Sequence, residues 1–246
     1  MSELDPLLTE TAELLGEQAG QSLDAIYRDI LNAGTNVIYL GTNATARDEV
    51  DRYIDDGHNP FPLAIRTLEN ANAQRIKEIV KAGVKISTSP IRAAFPAICG
   101  PYTKQDIEKL TAFVGYEEYA NYGDLMEGEF GAYKDIRFIM TTQAKYWPNA
   151  GDTSGGDHDE AYSTSDNGAA GAGVAVDVFS ILIFGKNAYG ICPLGPRTVE
   201  NIVTPPGGIS DPLKQITTSG WKAVTTAVIL QEDFMIRCEV ASKATP

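Results

Sequence analysis

The chain is poor in cysteine, short of positive charge and without a long apolar run. Its three cysteines, Cys99, Cys192 and Cys238, are scattered and odd in number. They read as reduced, small apolar residues in a cytosolic protein rather than as a disulfide frame. The longest apolar stretches are no longer than Ile181-Leu182-Ile183-Phe184, far below the roughly 18 residues that cross a bilayer. Lys and Arg number 20 against 33 Asp and Glu, a formal charge of −13 over 246 residues. Such a chain repels nucleic acid and anionic lipid, so neither specific nucleic-acid binding nor a membrane partner is expected. The opening Met-Ser-Glu-Leu-Asp-Pro is acidic and lacks the basic start of a signal peptide. What is present is a globular composition: 43% hydrophobic residues are enough for a real core, and 22% charged residues are ordinary.

The chemistry of the common enzyme motifs is also missing. No G-x-x-x-x-G-K-[ST] phosphate loop, no G-x-G-x-x-G after a strand and no G-x-S-x-G nucleophile elbow occurs. The two histidines, His58 and His158, sit in turn or loop sequence with no second histidine or cysteine at zinc-ligand spacing. The run Gly155-Gly156-Asp157-His158-Asp159-Glu160 offers carboxylates to a hard cation but lacks calcium-loop spacing, so it reads as a solvated acidic loop. Trp147 and Trp221 read as packing residues. No catalytic, cofactor-binding or metal-ligating residue is assigned, no cofactor is expected, and an enzyme is not the leading reading.

Helical periodicity is strongest at the start. Leu4, Leu8, Ala12, Leu15, Ala19, Leu23, Ile26, Ile30 and Ala33 form one stripe at spacings of three or four. With Asp5 as cap, Pro6 first and Gly34 as the C-terminal stop, the expected helix covers 5–34. It would be about 42 Å long, a strut despite Gly16 and Gly20. Further helices are expected from Pro62 through Leu63, Leu68 and Ala71, near 75–81, and after a capping-box-like start at Thr103 and Asp106. Strands are expected at 37–40, 95–99, 136–141 and 174–184. The stretch 149–173 holds six glycines, five acidic residues and no Lys or Arg. It is expected to be an exposed or disordered loop and the most mobile internal segment. At the end, 221–230 and 234–240 read as a hairpin across Gln231-Glu232-Asp233. Alternation in its second strand predicts a dry face of Ile236, Cys238 and Val240 and a wet face of Met235, Arg237 and Glu239.

Several stretches, in order, resemble the major capsid proteins of tailed bacteriophages, and within them the N-four-like major capsid protein family. They are Asp5-Pro6-Leu7-Leu8-Thr9-Glu10 through Asn36-Val37, Lys85-Ile86-Ser87-Thr88-Ser89-Pro90-Ile91-Arg92-Ala93-Ala94, Gly128-Glu129-Phe130-Gly131 with Ile136-Arg137-Phe138-Ile139, and Asp211-Pro212-Leu213 with Gly220-Trp221-Lys222-Ala223. The resemblance implies an α+β, Hong Kong 97-type phage capsid fold with a long spine helix, a peripheral β-sheet domain and an axial domain. It implies a peripheral part at 1–59 (spine helix 5–34), an axial domain at 60–200 with a flexible loop at 149–173, and a second peripheral part at 201–246. The family's N-terminal arm and extended loop are expected to be missing, because the sequence opens at the helix. The implied role is that of a self-assembling phage or prophage shell protein, located in the virion capsid and assembled in the bacterial host cytoplasm. Its partners would be copies of itself in capsomer rings and shell, with other head proteins as further partners. On the residues alone, an α/β enzyme with a dispersed site and a monomeric binding module stay open.

Overall fold

The computed structural model describes residues 4–76, 93–118, 125–154, 158–193, 199–207, 213 and 217–244. The chain opens on helix α1 (Leu4–Leu31), strand β1 (Val37–Tyr39) and helix α2 (Phe61–Asn70), followed by β2 (Phe95–Cys99) and α3 (Pro101–Glu108). Then come β3 (Phe113–Gly115), β4 (Glu129–Tyr133), β5 (Ile136–Met140) and β6 (Tyr146–Trp147). The strands β7 (Tyr162–Ser163), β8 (Gly168–Ala169), β9 (Val178–Phe184) and β10 (Tyr189–Pro193) lead to β11 (Val199–Thr204), β12 (Thr218–Ala223), β13 (Thr225–Ile229) and β14 (Met235–Val240). The α+β class expected from sequence is the one observed.

Contacts divide the chain into two compact units, Met1–Leu31 with Tyr189–Val228, and Asn32–Ala188 with Ile229–Pro246. These units do not follow the sequence boundaries at 59/60 and 200/201.

The larger unit is built on an eight-stranded mixed sheet of order β1-β14-β9-β2-β5-β4-β3, with β6 also paired to β9. β1 runs parallel to β14 and β2 parallel to β5, while the other neighbours run antiparallel. β9 is buried at all seven positions, as a run that is apolar except for Ser180 requires of a central strand. Register sets Ile236 opposite Ile183, Cys238 opposite Ile181 and Val240 opposite Phe179. These residues and the α2 side chains Phe61, Ala64, Ile65 and Leu68 join the main core. α2 starts as its sequence suggests, with Pro62 in the first turn and the Phe61 amide donating to Asn59 Oδ1 at 2.9 Å.

Several expectations are corrected. Helix α1 ends at Leu31, and Asp5 lies inside it rather than capping it. Gly34 is no left-handed stop. A Cβ there would sit 2.7 Å from Met235 Cε, the far end of a flexible side chain that can move aside. The helix expected near 75–81 lies largely outside the described residues. α3 begins at Pro101 with Gly100 as its cap. Thr103 Oγ1 donates to the Gly100 carbonyl at 3.1 Å. Asp106 accepts from Ser242 Oγ and the Lys243 amide, each at 3.0 Å, and so ties α3 to the segment after β14.

No C-terminal hairpin forms. β13 pairs with β10, whereas β14 lies between β1 and β9. The supposed wet face of β14 is dry as well: all six residues, Arg237 and Glu239 included, are buried. A strand with a neighbour on each edge and cover on each face has no wet side, whatever its alternation.

The stretch 149–173 is not simply an exposed loop. Ala161 and Ala170 join Val50, Val176, Val178 and Ala241 in a second, smaller core, with Trp147 against it. Gly151 is needed there because a Cβ would fall 2.6 Å from the Val50 carbonyl oxygen. The buried Asp177 carboxylate accepts from the Asn149 amide at 2.8 Å and the Thr164 amide at 3.2 Å. Alanines and backbone hydrogen bonds do here what larger side chains do elsewhere.

Burial pushes the Asp106 carboxyl above its ordinary value, against the pull of its hydrogen bonds from Lys243 and Ser242. A carboxyl raised in the folded state contributes stability that is whole below its unfolded value, near pH 4, and is lost as pH rises through the folded value. Asp106→Asn keeps an acceptor for Ser242 and Lys243 and removes that titration. The variant is therefore expected to gain on the native chain as pH rises from about 4 to 7. Urea midpoints over that range are the check, and a constant difference would refute it.

Candidate assembly surface

The smaller unit contains α1 and two two-stranded ribbons, β10-β13 and β11-β12. Helix α1 lies against β12. The Tyr27 and Thr225 hydroxyls share a hydrogen bond of 2.8 Å that ties the helix to β13. Along the predicted stripe of α1, Ala19 is buried, Ala12, Leu15, Leu23 and Ile30 are half-buried, and Ile26 is exposed. In the antiparallel β11-β12 ribbon Val199 faces Ala223, Asn201 faces Trp221, and Ile202 faces Gly220. An exposed cross-strand ion pair, Lys222 Nζ to Glu200 Oε2 at 3.0 Å, lies on the same ribbon.

Few of this unit's described apolar side chains are buried. Among its described residues the buried apolar side chains are Ala19, Leu31 and Ala227. Leu14 is 65% exposed, Val224 57% and Val228 50%, and Ile191, Ile202 and Val203 are exposed as well. Scattered exposed leucines are ordinary, but a helix and two ribbons that bury so few side chains do not offset their own ordering entropy. Each strand of a two-stranded ribbon also keeps one unpaired edge. The arrangement offers burial and edge pairing to a neighbour.

Comparison with known proteins fits that picture. No protein-family model matches the chain. A stretch of 134 residues, 52% of the chain, is 30% identical to the major capsid protein of Pseudomonas phage KPP21. The chain spans 34% of that curated relative's length. The capsid structure of cyanophage P-SCSP1u aligns with 98% of this chain and 70% of its own at a TM-score of 0.53 and 12% identity. The capsid of Ralstonia phage GP4 aligns with 98% of this chain and 68% of its own at 0.56 and 10%. The head structure of Helicobacter pylori bacteriophage KHP40 aligns with 98% of this chain and 71% of its own at 0.54 and 13%. The chain has the Hong Kong 97-type phage capsid fold.

Within this capsid fold the residues weighed from sequence fall apart in space. Cys99 and Cys238 lie in the main core. Burial pushes each thiol up to about 12, which keeps it protonated and unreactive. Cys192 is exposed on β10. His58 sits in a turn, its ring 3.1 Å from the Asp55 carboxylate and in contact with Arg52. His158 opens a short 3-10 turn at 158–160. Residues 155–157 of the acidic run lie outside the described residues. Among the described residues no three His, Cys, Asp or Glu side chains gather as a metal site would need, and no helix is long and apolar enough to cross a membrane. Trp221 is half-buried on β12, and Trp147 is half-buried with the Arg47 guanidinium 3.6 Å above its ring.

Sequence reasoning missed two ion pairs of the larger unit, one buried on both sides and one in which a partly exposed arginine meets a buried carboxylate. In one, Arg137 on β5 grips Glu129 on β4 by two hydrogen bonds, Nε to Oε1 at 2.6 Å and Nη2 to Oε2 at 2.7 Å. Both side chains are almost completely buried. In the other, Arg47 makes the same two-point grip on Glu239 of β14, at 2.6 and 2.8 Å. The paired hydrogen bond and the nearby carboxylate hold the Arg47 guanidinium above its ordinary pKa, against partial burial.

Proposed function

We propose that this chain is a structural subunit of a phage or prophage head, of the N-four-like major capsid protein branch. It assembles with copies of itself into capsomer rings and the icosahedral shell around the viral genome, in the bacterial host cytoplasm, and it does so without catalysis. Other head proteins are further partners. The observation that carries this reading is the capsid fold over 98% of the chain, joined to a unit in which Ala19, Leu31 and Ala227 are the buried apolar side chains among the described residues. Burial of repeated, matched surfaces is how closed symmetric assemblies form. The peripheral parts at 1–59 and 201–246, the axial domain at 60–200 and the spine helix at 5–34 belong to this reading.

A charge of −13 per chain opposes close packing at low salt. Screening shortens the reach of that repulsion from about 30 Å at 0.01 M to about 3 Å at 1 M. Association of the purified chain is therefore expected to rise with salt. Light scattering over a salt series follows it, and rings, sheets or shells in negative-stain microscopy would support the proposal. A uniform particle of single-chain mass at every salt and protein concentration would overturn the proposal.

A further inference from the structure

Charge does not balance on the second face of β14. Arg237 and Glu239 stand two residues apart there, both buried. Arg47 occupies both oxygens of Glu239. Arg237 Nε lies 2.8 Å from Glu239 Oε1, yet it is not aligned to donate and remains a buried donor without an acceptor. Arg237 Nη1 donates to the carbonyls of Asn32 and Gly34, the latter at 3.1 Å. Both guanidiniums gather at one indole, with Arg47 at 3.6 Å and Arg237 at 5.9 Å from the centroid of Trp147. Two cations thus share one carboxylate, and among the described residues no second carboxylate lies within ion-pair distance of either. An unmatched charge is costly away from water. Arg47 Nη1 and Arg237 Nη2 also hold no hydrogen bond to the described residues. The Arg47 side chain is 32% exposed, so the cluster is open to solvent on that side.

We propose that Arg47 and Arg237, beside Trp147, bind an oxyanion of the phosphate or carboxylate class. The reason is the match of parts. A guanidinium presents planar, fixed donors that suit two-oxygen acceptors. A second anion would take up the spare N–H groups and restore charge balance, and the apolar indole wall would strengthen the attraction. Two sources supply that chemistry: a free anion, or an acidic side chain from a second copy of this chain, which carries 33 Asp and Glu. The second source rests on the self-assembly proposed above, and the first does not.

Trp147 provides the readout. The chain has two tryptophans, so Trp221→Phe leaves Trp147 as the sole indole. Inorganic phosphate is titrated against chloride at matched ionic strength and low protein concentration, following Trp147 emission and the thermal midpoint. A free-ion site gives a saturable emission change with a rise in midpoint. Arg47→Gln is expected to weaken the phosphate affinity about 10- to 100-fold, with Arg47→Lys in between. A site filled by a second copy gives no phosphate response but an emission change on raising protein concentration, lost in Arg47→Gln. Circular dichroism confirms that the variants are folded. If Trp147 responds to neither phosphate nor protein concentration, or if Arg47→Gln responds as the parent does, the site does not exist.

Discussion

Glu239→Ala is expected to lower the unfolding free energy by about 3–5 kcal/mol, the cost of breaking a buried pair from one side. Glu239 is fully buried and holds the Arg47 guanidinium by two hydrogen bonds, with Arg237 at ion-pair distance. Removing the carboxylate leaves two guanidiniums near each other with nothing between them. Arg237→Ala is a different case, because Arg47 still pairs with Glu239. Its cost comes from the Asn32 and Gly34 carbonyls that lose their donor, about 1–3 kcal/mol by the usual penalty for orphaned buried groups. That already exceeds what an exposed strand residue would show. Urea unfolding at neutral pH separates the two variants. A midpoint for Glu239→Ala equal to that of the native chain would mean that the β14 face is not closed.

The second large effect is expected at β4-β5. Arg137→Met leaves Glu129 as a buried charge without its guanidinium and is expected to cost about 3–5 kcal/mol. Adding Glu129→Gln should recover most of that loss. The substituted amide would be neutral and would still offer an acceptor to the Met126 amide, which donates to Glu129 Oε2 at 2.9 Å. Buried ion pairs often contribute little net stability while being costly to break from one side. A double variant that unfolds no later than Arg137→Met alone would show that the pair is worth far more than this.

What the sequence made legible was local. The long stripe of α1, the apolar run of β9, the strands β2 and β5 and the proline-led start of α2 all carry their signals in short-range spacing. What it hid was set by distant neighbours. Alternation in Ile236, Arg237, Cys238 and Glu239 reports that side chains point to opposite sides. It does not report whether the second side is covered. Here residues 32–34, Arg47 and Trp147 cover it. Thr103 and Asp106 have capping-box spacing, but Pro101 had already fixed the start of α3, which freed Asp106 to hold Ser242 and Lys243. In 149–173 the low apolar content hid how closely Gly151, Ala161 and Ala170 let backbone pack on backbone. The ion cluster had one sequence clue: Arg237 and Glu239 are opposite charges on one face of an otherwise apolar strand. Their partner Arg47 lies 192 positions from Glu239, beyond any local pattern.

The order of strands in the main sheet also bears on how the protein is made. β14 pairs on one side with β1, where Val37 faces Arg237, and on the other with β9. A ribosome delivers β14 long after β1, because the paired residues Val37 and Arg237 stand 200 positions apart. Until β14 emerges, β1 has no partner and β9 shows an open edge beside a half-covered core. Pairing across such a sequence distance is slow, and an edge exposed meanwhile invites aggregation. A nascent chain interrupted before Met235 would be adhesive but misshapen. The sheet therefore stays open at this place until a strand 200 positions further along the chain, from Val37 to Arg237, has been delivered.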